Sequence, residues 1–136
     1  MQQLIFAQSE YYHTLDLNAN WNGMNKAIVS GNDFIMCGSL NDNFFVLNTD
    51  DFANPKWAKT FDSLGKEAID IIADYNGNYV ACGAIEQPPI WSTTSSWGVI
   101  SFNRQGDTLW SMSHPEPGDS YATGITQLID SSFIVV

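Results

Sequence analysis

Hydrophobic residues along this chain fall in short segments that turn residues separate. The clearest segments are residues 68–73, 79–84, 97–102 and 108–113, which are rich in Val, Ile, Phe, Tyr and Trp, as half-buried strands are. Ser101 alternates with Ile100 and Phe102, so neighbouring side chains point to opposite faces. The connectors DYNGN and NRQGD supply Asn and Gly where a hairpin needs positive φ. The pattern therefore predicts antiparallel strands rather than helices.

This strand pattern is repeated along the chain. The segment EAIDIIADYNGNYVACG aligns with YATGITQLIDSSFIVV at a constant offset of 54 residues. A third copy, MNKAIVSGNDFIMCGS, aligns once one residue is dropped before the turn. The phrases FFVLNTDDFANPKWAKT and VISFNRQGDTLWSMS also match, with Asn48 corresponding to Asn103 and Trp57 to Trp110 across loops that differ by two residues. Such recurrence indicates a repeated structural unit.

Four antiparallel strands that recur every 45 to 54 residues are typical of a β-propeller blade. We predict an all-β, propeller-like fold with about two complete blades and further partial blades. The approximate units are 24–61, 68–113 and a truncated 122–136, within a repeat region of 9–136. With a leading strand near Tyr11 and Tyr12 the sequence holds eleven strands, whereas a closed ring needs about 16. We therefore expect an incomplete ring or a fragment.

Two pairs of residues recur at equivalent positions of the repeat. Cys37 and Cys82 are predicted to fill the same small buried slot twice and to remain free thiols, because a disulfide needs Cα atoms within about 7 Å. Gly38 and Gly83 follow them, and a Cβ at either position is expected to collide with the next blade or to meet a forbidden φ. Large aromatic side chains are expected to fill the space between blades, namely Trp57, Phe61, Phe102 and Trp110.

Two stretches, WAKTFDSLGKEAIDIIADYNGNYVACG and WSMSHPEPGDSYATGITQLIDSSFIVV, carry a resemblance to a known family. They resemble the tandem β-propeller repeats of large secreted and surface proteins of bacteria, many of which are cargo of type IX secretion. The resemblance covers about residues 11–136. Ser131 and Ser132 stand where the family usually has turn glycines. The resemblance implies a propeller fold and a secreted or cell-surface location.

The net charge of the chain limits the classes of molecule that it is expected to bind. Five Lys and Arg residues face fifteen Asp and Glu residues, for a net charge of −10 and a pI near 4.1. Nucleic-acid binding needs clustered basic residues and is therefore not expected. Membrane insertion is not expected either, because no apolar run approaches the length of about 18–20 residues that a spanning helix needs. Residues 1–8, MQQLIFAQ, are predicted to be a remnant of a secretory signal or a disordered start.

No catalytic, cofactor-binding or metal-binding motif stands out in the sequence. Trp91 and Trp97 flank the STTSS loop, and aromatic side chains among hydroxyl groups suggest stacking on a glycan or a peptide. His114 lies close to Glu116 and Asp119, which suggests an acid pair. The sequence therefore favours a non-catalytic scaffold or interaction segment. A glycan- or peptide-binding module and a part of a glycan-active propeller enzyme are the alternatives.

The two ends of the repeat region carry the expected partner contacts. The final strands, 122–128 and 133–136, and the leading strand near Tyr11 and Tyr12 should have unpaired backbone groups at their edges. We expect these end strands to pair with other blades or with other chains. A glycan or protein ligand is a further expected partner, and no cofactor is expected.

Overall fold

The structure, a computed structural model, describes residues 22–61, 66–86, 95–114 and 118–136. Throughout these residues the secondary structure consists of strands and turns, so the all-β prediction is confirmed. Sheet A contains β1 (Asn22–Ser30), β2 (Asp33–Leu40), β3 (Asn43–Thr49) and β4 (Pro55–Phe61). Sheet B contains β5 (Glu67–Ala73), β6 (Tyr79–Glu86), β7 (Ser95–Phe102) and β8 (Thr108–His114). Sheet C contains β9 (Ile125–Gln127) and β10 (Phe133–Val135).

Each sheet is an antiparallel meander in which strands that follow one another in the chain also pair. The first strands of the three sheets, β1, β5 and β9, lie next to one another, so the sheets stack like successive blades. The described sheets do not close into a ring, and the fold is that of an incomplete propeller-like assembly. The leading strand expected near Tyr11 and Tyr12 and the segment 1–8 lie outside the described residues.

The final pair of strands is shorter than predicted. The sequence predicted strands over 122–128 and 133–136, whereas β9 and β10 have three residues each and pair from Phe133–Gln127 to Val135–Ile125. The start of the first segment is bound elsewhere, because the Ala122 amide donates to the Gly83 carbonyl of sheet B at 3.3 Å. Hydrogen bonding to a neighbouring sheet is a long-range contact that the local pattern does not reveal.

Two hydrophobic clusters hold the sheets together. Between sheets A and B the cluster includes Ile35, Phe44, Ala68, Tyr79, Ile100 and Phe102, all nearly fully buried. Between sheets B and C the buried members are Val80, Cys82, Val99, Ala122 and Ile125. Sheet B is therefore covered by sheet A on one face and partly by sheet C on the other, which explains why most residues of its middle strands are buried.

The aromatic side chains expected between the blades do lie there. The ring of Phe102 is 6.0 Å from Trp57 and 5.9 Å from Phe61, between sheets B and A. The ring of Trp110 is 5.8 Å from Phe133, between sheets B and C. Trp57 and Trp110 therefore occupy equivalent places on the last strands of their sheets.

Four hairpin turns of five residues share one hydrogen-bond pattern: 50–54, 74–78, 103–107 and 128–132. In each turn the first amide donates to the fifth carbonyl, and the fourth amide donates to the first carbonyl. The fourth residue always has a positive φ, and these residues are Ala53, Gly77, Gly106 and Ser131. The turn geometry is thus kept even where Ala or Ser replaces the glycine that this conformation favours.

The equivalence of these turns corrects the alignment of Asn48 with Asn103. Trp57 pairs with Asn48 across the sheet, whereas the equivalent Trp110 pairs with Ser101. Asp50 is therefore the residue equivalent to Asn103, and the two loops have the same length. The side-chain oxygens of both residues accept hydrogen bonds from amides two and four positions further on. The alignment of Asn48 with Asn103 was wrong because it matched identical residue types. Asp and Asn are equally suited to the first position of such a turn.

The sequence predicted that a Cβ at Gly38 or Gly83 would collide with the next blade. A Cβ there does collide, but with a different neighbour. A Cβ at Gly38 would overlap the carbonyl oxygen of Gly23, and one at Gly83 would overlap that of Glu67. Both obstacles belong to the first strand of the same sheet, beside a β-bulge. Neither glycine has a positive φ. These positions need glycine because two backbones of one sheet approach closely.

Cys37 and Cys82 occupy the same slot of sheets A and B, as predicted. Both are free and fully buried, and they lie on the second strand of their sheets. Burial is the main cause that raises the pKa of the Cys82 thiol to about 12, and it raises the pKa of Cys37 further. Neither thiol is therefore ionised at neutral pH, so both behave as small hydrophobic side chains.

Candidate functional site

The sequence singled out Trp91 and Trp97, and the structure describes only Trp97, since Trp91 lies outside the described residues. The Trp97 side chain is half-buried and packs against the cluster between sheets B and C. Its ring is stacked on His114, its cross-strand neighbour on β8, with 5.4 Å between centroids and parallel planes. Trp97 therefore contacts both the hydrophobic cluster and the ring of His114. Its role in ligand binding stays a prediction.

The acid pair suggested around His114 is only partly described. Glu116 lies outside the described residues. The Asp119 carboxylate accepts a hydrogen bond from the Ser95 amide at 2.7 Å, and the Ser95 carbonyl accepts one from the Ser120 amide at 2.9 Å. Asp119 therefore ties the chain that leads into sheet C to the start of β7, which is a structural role.

The face of sheet B that is turned toward sheet C has an uncovered outer half. We call the four side chains there, Trp97, Trp110, Met112 and His114, the β8 patch. Trp110 is 40% exposed and Met112 is 51% exposed. Their register partners on β7, Ser101 and Val99, are buried. Among the described residues, sheet C therefore covers the inner half of this face, and the outer half stays exposed.

The exposed half of sheet B lies beside an edge of β10 with which no strand of the described residues pairs. Gly124 and Val136 exchange two backbone hydrogen bonds, at 3.2 and 3.0 Å. In an antiparallel pair such hydrogen-bonded positions alternate with non-bonded ones. The amide and carbonyl groups of Phe133 and Val135 therefore point away from β9. No strand of the described chain pairs with that edge of β10.

The equivalent surface of sheet A shows what covers such a patch. Trp57 and Phe61 on β4 contact Phe102 of β7, and the Trp57 Nε1 donates to the Arg104 carbonyl at 2.8 Å. Trp110 Nε1 has no comparable acceptor within the described residues. A strand and a turn of sheet B thus cover the last strand of sheet A, and the part of the chain that the structure describes contains no equivalent strand and turn over β8.

A polar cluster links the first strands of the three sheets. Lys26 Nζ lies 2.8 Å from one oxygen of Asp70, and the other oxygen accepts the Ile125 amide at 3.0 Å. Burial would raise the pKa of the Asp70 carboxyl, but the hydrogen bonds from Lys26 and from the Ile125 and Ile71 amides outweigh it and lower the pKa. The same contact raises the pKa of Lys26. Asp70 therefore acts as an ionised bridge between blades.

The described residues give this cluster no metal-binding character. They contain no group of three or more His, Cys, Asp or Glu side chains that could hold a metal ion. Within the same residues, no helix is long and apolar enough to cross a membrane. The oxygens of Asp70 are already used by protein donors, so the cluster is a structural link.

Comparison with known proteins adds no assignment. The chain matches no model of a known protein family, and a search of the curated proteins finds no significant match. The site must therefore be judged from its geometry. Sequence reasoning named Trp97 as a ligand-binding candidate, His114 beside an acid pair and Trp110 between blades, but it did not bring these residues together as one surface. The equivalence of Trp110 with Trp57 was a signal that could have led to it.

Proposed function

We propose that this chain is a non-catalytic scaffold or interaction segment of a propeller-like protein, and that its sheet C end pairs with a further blade or with another chain. The observation that carries the proposal is the β8 patch beside the edge of β10 with which no described strand pairs. Apolar side chains next to unpaired backbone groups favour a polypeptide as the ligand, since a polypeptide can satisfy both. The net charge of −10 argues against nucleic acid as the ligand.

Selection from a random peptide library by the whole chain tests this function. We expect enriched peptides whose binding is lost in Trp110→Ser and kept in Leu109→Ser. Leu109 is the matched control because it lies on the same strand and is 50% exposed, but on the opposite face. No enrichment, or enrichment that does not depend on Trp110, would overturn the proposal. Turnover of a polysaccharide would overturn its non-catalytic part.

We also propose that the protein is exported to the cell surface or the medium. The signal-like composition of residues 1–8 and the family resemblance support this location. Fractionation of cells that express the complete gene, followed by sequencing of the mature N-terminus, tests it. Retention of the uncleaved protein in the cytosol would contradict it.

A further inference from the structure

The turn between β5 and β6 contains an asparagine that a glycine follows. Asn76 and Gly77 are the third and fourth residues of the turn 74–78, and Asn76 is exposed. Gly77 has a φ of 77°, and a Cβ at this position would lie 2.6 Å from Nη2 of Arg104. The turn conformation and the Arg104 side chain therefore both favour glycine directly after Asn76.

Such a pair has a reaction of its own, in which the backbone attacks the side chain. The amide nitrogen of the glycine bonds to Cγ of the asparagine, a five-membered succinimide ring closes, and the side-chain nitrogen leaves as ammonia with the amide proton. One water molecule then opens the ring at either carbonyl, which gives aspartate or isoaspartate. Glycine has no side chain to hinder the attack, and asparagine is one of the thermolabile residues of proteins.

Hydrogen bonds distinguish Asn76 from the other asparagines of these five-residue turns. The side-chain nitrogens of three of them donate to an aspartate of the same turn, at 2.9, 3.5 and 3.2 Å: Asn54, Asn78 and Asn103. None of the three precedes a glycine. Within the described part of the chain, Asn76 is hydrogen-bonded through its backbone amide and not through its carboxamide. Its Cγ is therefore not held away from the Gly77 nitrogen.

Three hydrogen bonds hold the backbone on either side of the reacting atoms. The Asn76 amide donates to a carboxylate oxygen of Asp74 at 2.9 Å, and the Gly77 amide donates to the Asp74 carbonyl at 3.0 Å. The Gly77 carbonyl accepts from Nε of Arg104, on the turn between β7 and β8, at 3.0 Å. The Gly77 amide must give up its hydrogen bond before its nitrogen attacks, so the reaction needs a locally opened turn.

We propose that Asn76 is a site of spontaneous deamidation, and that the hydrogen bond from Arg104 to Gly77 slows the reaction by holding the turn closed. Isoaspartate adds one carbon atom to the backbone of the turn, so the two backbone hydrogen bonds across the turn no longer fit together. The amide of Tyr75, in the same turn, donates to Oε1 of Gln127 on β9 at 2.8 Å. The modification therefore also changes a contact between sheets B and C.

Peptide mapping by mass spectrometry, after incubation of the whole chain at neutral pH, tests whether Asn76 reacts. Aspartate and isoaspartate should accumulate at this position at least tenfold faster than at Asn54, Asn78 and Asn103. Labelling with an isoaspartyl methyltransferase identifies the isoaspartate form. An intact Asn76, or conversion at any of the other three asparagines at an equal rate, would overturn the proposal.

The role of Arg104 is tested by Arg104→Ala, which should speed the conversion of Asn76 at least fivefold. Lys59→Ala is the matched control, because it removes a side-chain hydrogen bond of 3.1 Å to Asp107 of the same turn and leaves Gly77 untouched. It should change the rate less than twofold. Asn22 in sheet A also precedes a glycine and is the internal reference, whose rate should be the same in both variants.

Unfolding in urea removes the turn and gives the upper limit of the rate. The unmodified chain and both variants should then convert Asn76 at one common rate, at least tenfold above that of the folded unmodified chain. Equal effects of the two variants in the folded state, equal acceleration at Asn22, or a folded rate that equals the rate in urea would overturn the protection by Arg104.

Discussion

At the interface between sheets A and B, Trp57 and Phe61 of β4 meet Phe102 of β7. At the interface between sheets B and C, the equivalent Trp110 contacts Phe133 of β10 but stays 40% exposed, and His114 is exposed as well. The same positions of the repeat are thus partly buried in one place and exposed in the other. Burial is a property of the neighbouring sheet and not of the residue type.

The largest effect in this comparison is expected at Phe102. Phe102→Ala should lower the free energy of unfolding by about 3–5 kcal/mol, because it leaves a cavity in a fully buried cluster. Phe133→Ala should lower it by only about 1–2 kcal/mol, because Phe133 is half-exposed and solvent can fill the space. Urea unfolding of both variants measures the difference. Equal losses would show that the second interface is as complete as the first.

The next effect tests whether sheets A and B are built alike. Gly83→Val and Gly38→Val should each lower the free energy of unfolding by about 1–3 kcal/mol, because their Cβ atoms would overlap a carbonyl of the first strand. Thermal unfolding of the two variants measures this. A loss at only one of the two glycines would contradict the equivalence of the sheets.

The polar bridge between the blades gives a pH-dependent comparison. Asp70→Asn should lower the free energy of unfolding by about 1–2 kcal/mol at neutral pH, because it removes the charge that Lys26 pairs with. The pKa of Asp70 is lowered in the folded state, so its contribution is complete above its ordinary value of 3.8 and is lost as the pH falls through the folded-state value.

Urea unfolding of both proteins at several pH values below 5 measures this contribution. The stability difference between the unmodified chain and Asp70→Asn should shrink as the pH falls. Lys26→Met is the control; it removes only the ion pair of a half-exposed lysine and should cost about 0–1 kcal/mol. A difference that grows in acid would contradict a lowered pKa of Asp70 in the folded state.

The smallest expected effect concerns the turns. Ser131 has a φ of 69° at a position where the equivalent Gly77 has 77°. Ser131→Gly should raise the free energy of unfolding by about 0.5 kcal/mol, because relief of the left-handed strain exceeds the added freedom of the unfolded chain. Gly77→Ala should have the opposite sign. Thermal unfolding is a sufficient readout, and a destabilised Ser131→Gly would mean that the serine has a compensating contact.

The architecture could be predicted from the sequence because it depends on local sequence patterns. The β7 segment alternates small or polar and bulky residues, and its turn carries Asn and Gly at the positions that the hairpin needs. The repeat adds a second constraint, since three copies of one pattern must fold alike. For this reason the strands of sheet B lie within a few residues of their predicted bounds.

The candidate site was harder to predict, because the exposure of its residues depends on which strands pack next to them. Trp97 was singled out for its neighbours in the STTSS loop, but its described contacts are His114 and the cluster between sheets B and C. Trp110 was expected between blades, and it is there, yet 40% of it is exposed. No local pattern tells whether a third strand covers such a residue.

By itself, the sequence determined the strands, the turns, the antiparallel blades and the free state of Cys37 and Cys82. These depend on side-chain alternation, on turn residues and on equivalence within the repeat. Only the tertiary structure decided that glycines 38 and 83 avoid their own first strand, that Asp70 links three sheets, and that the β8 patch lies open beside β10. The physical reason is that close backbone approach, ion pairing between sheets and exposure all depend on residues far apart in the chain.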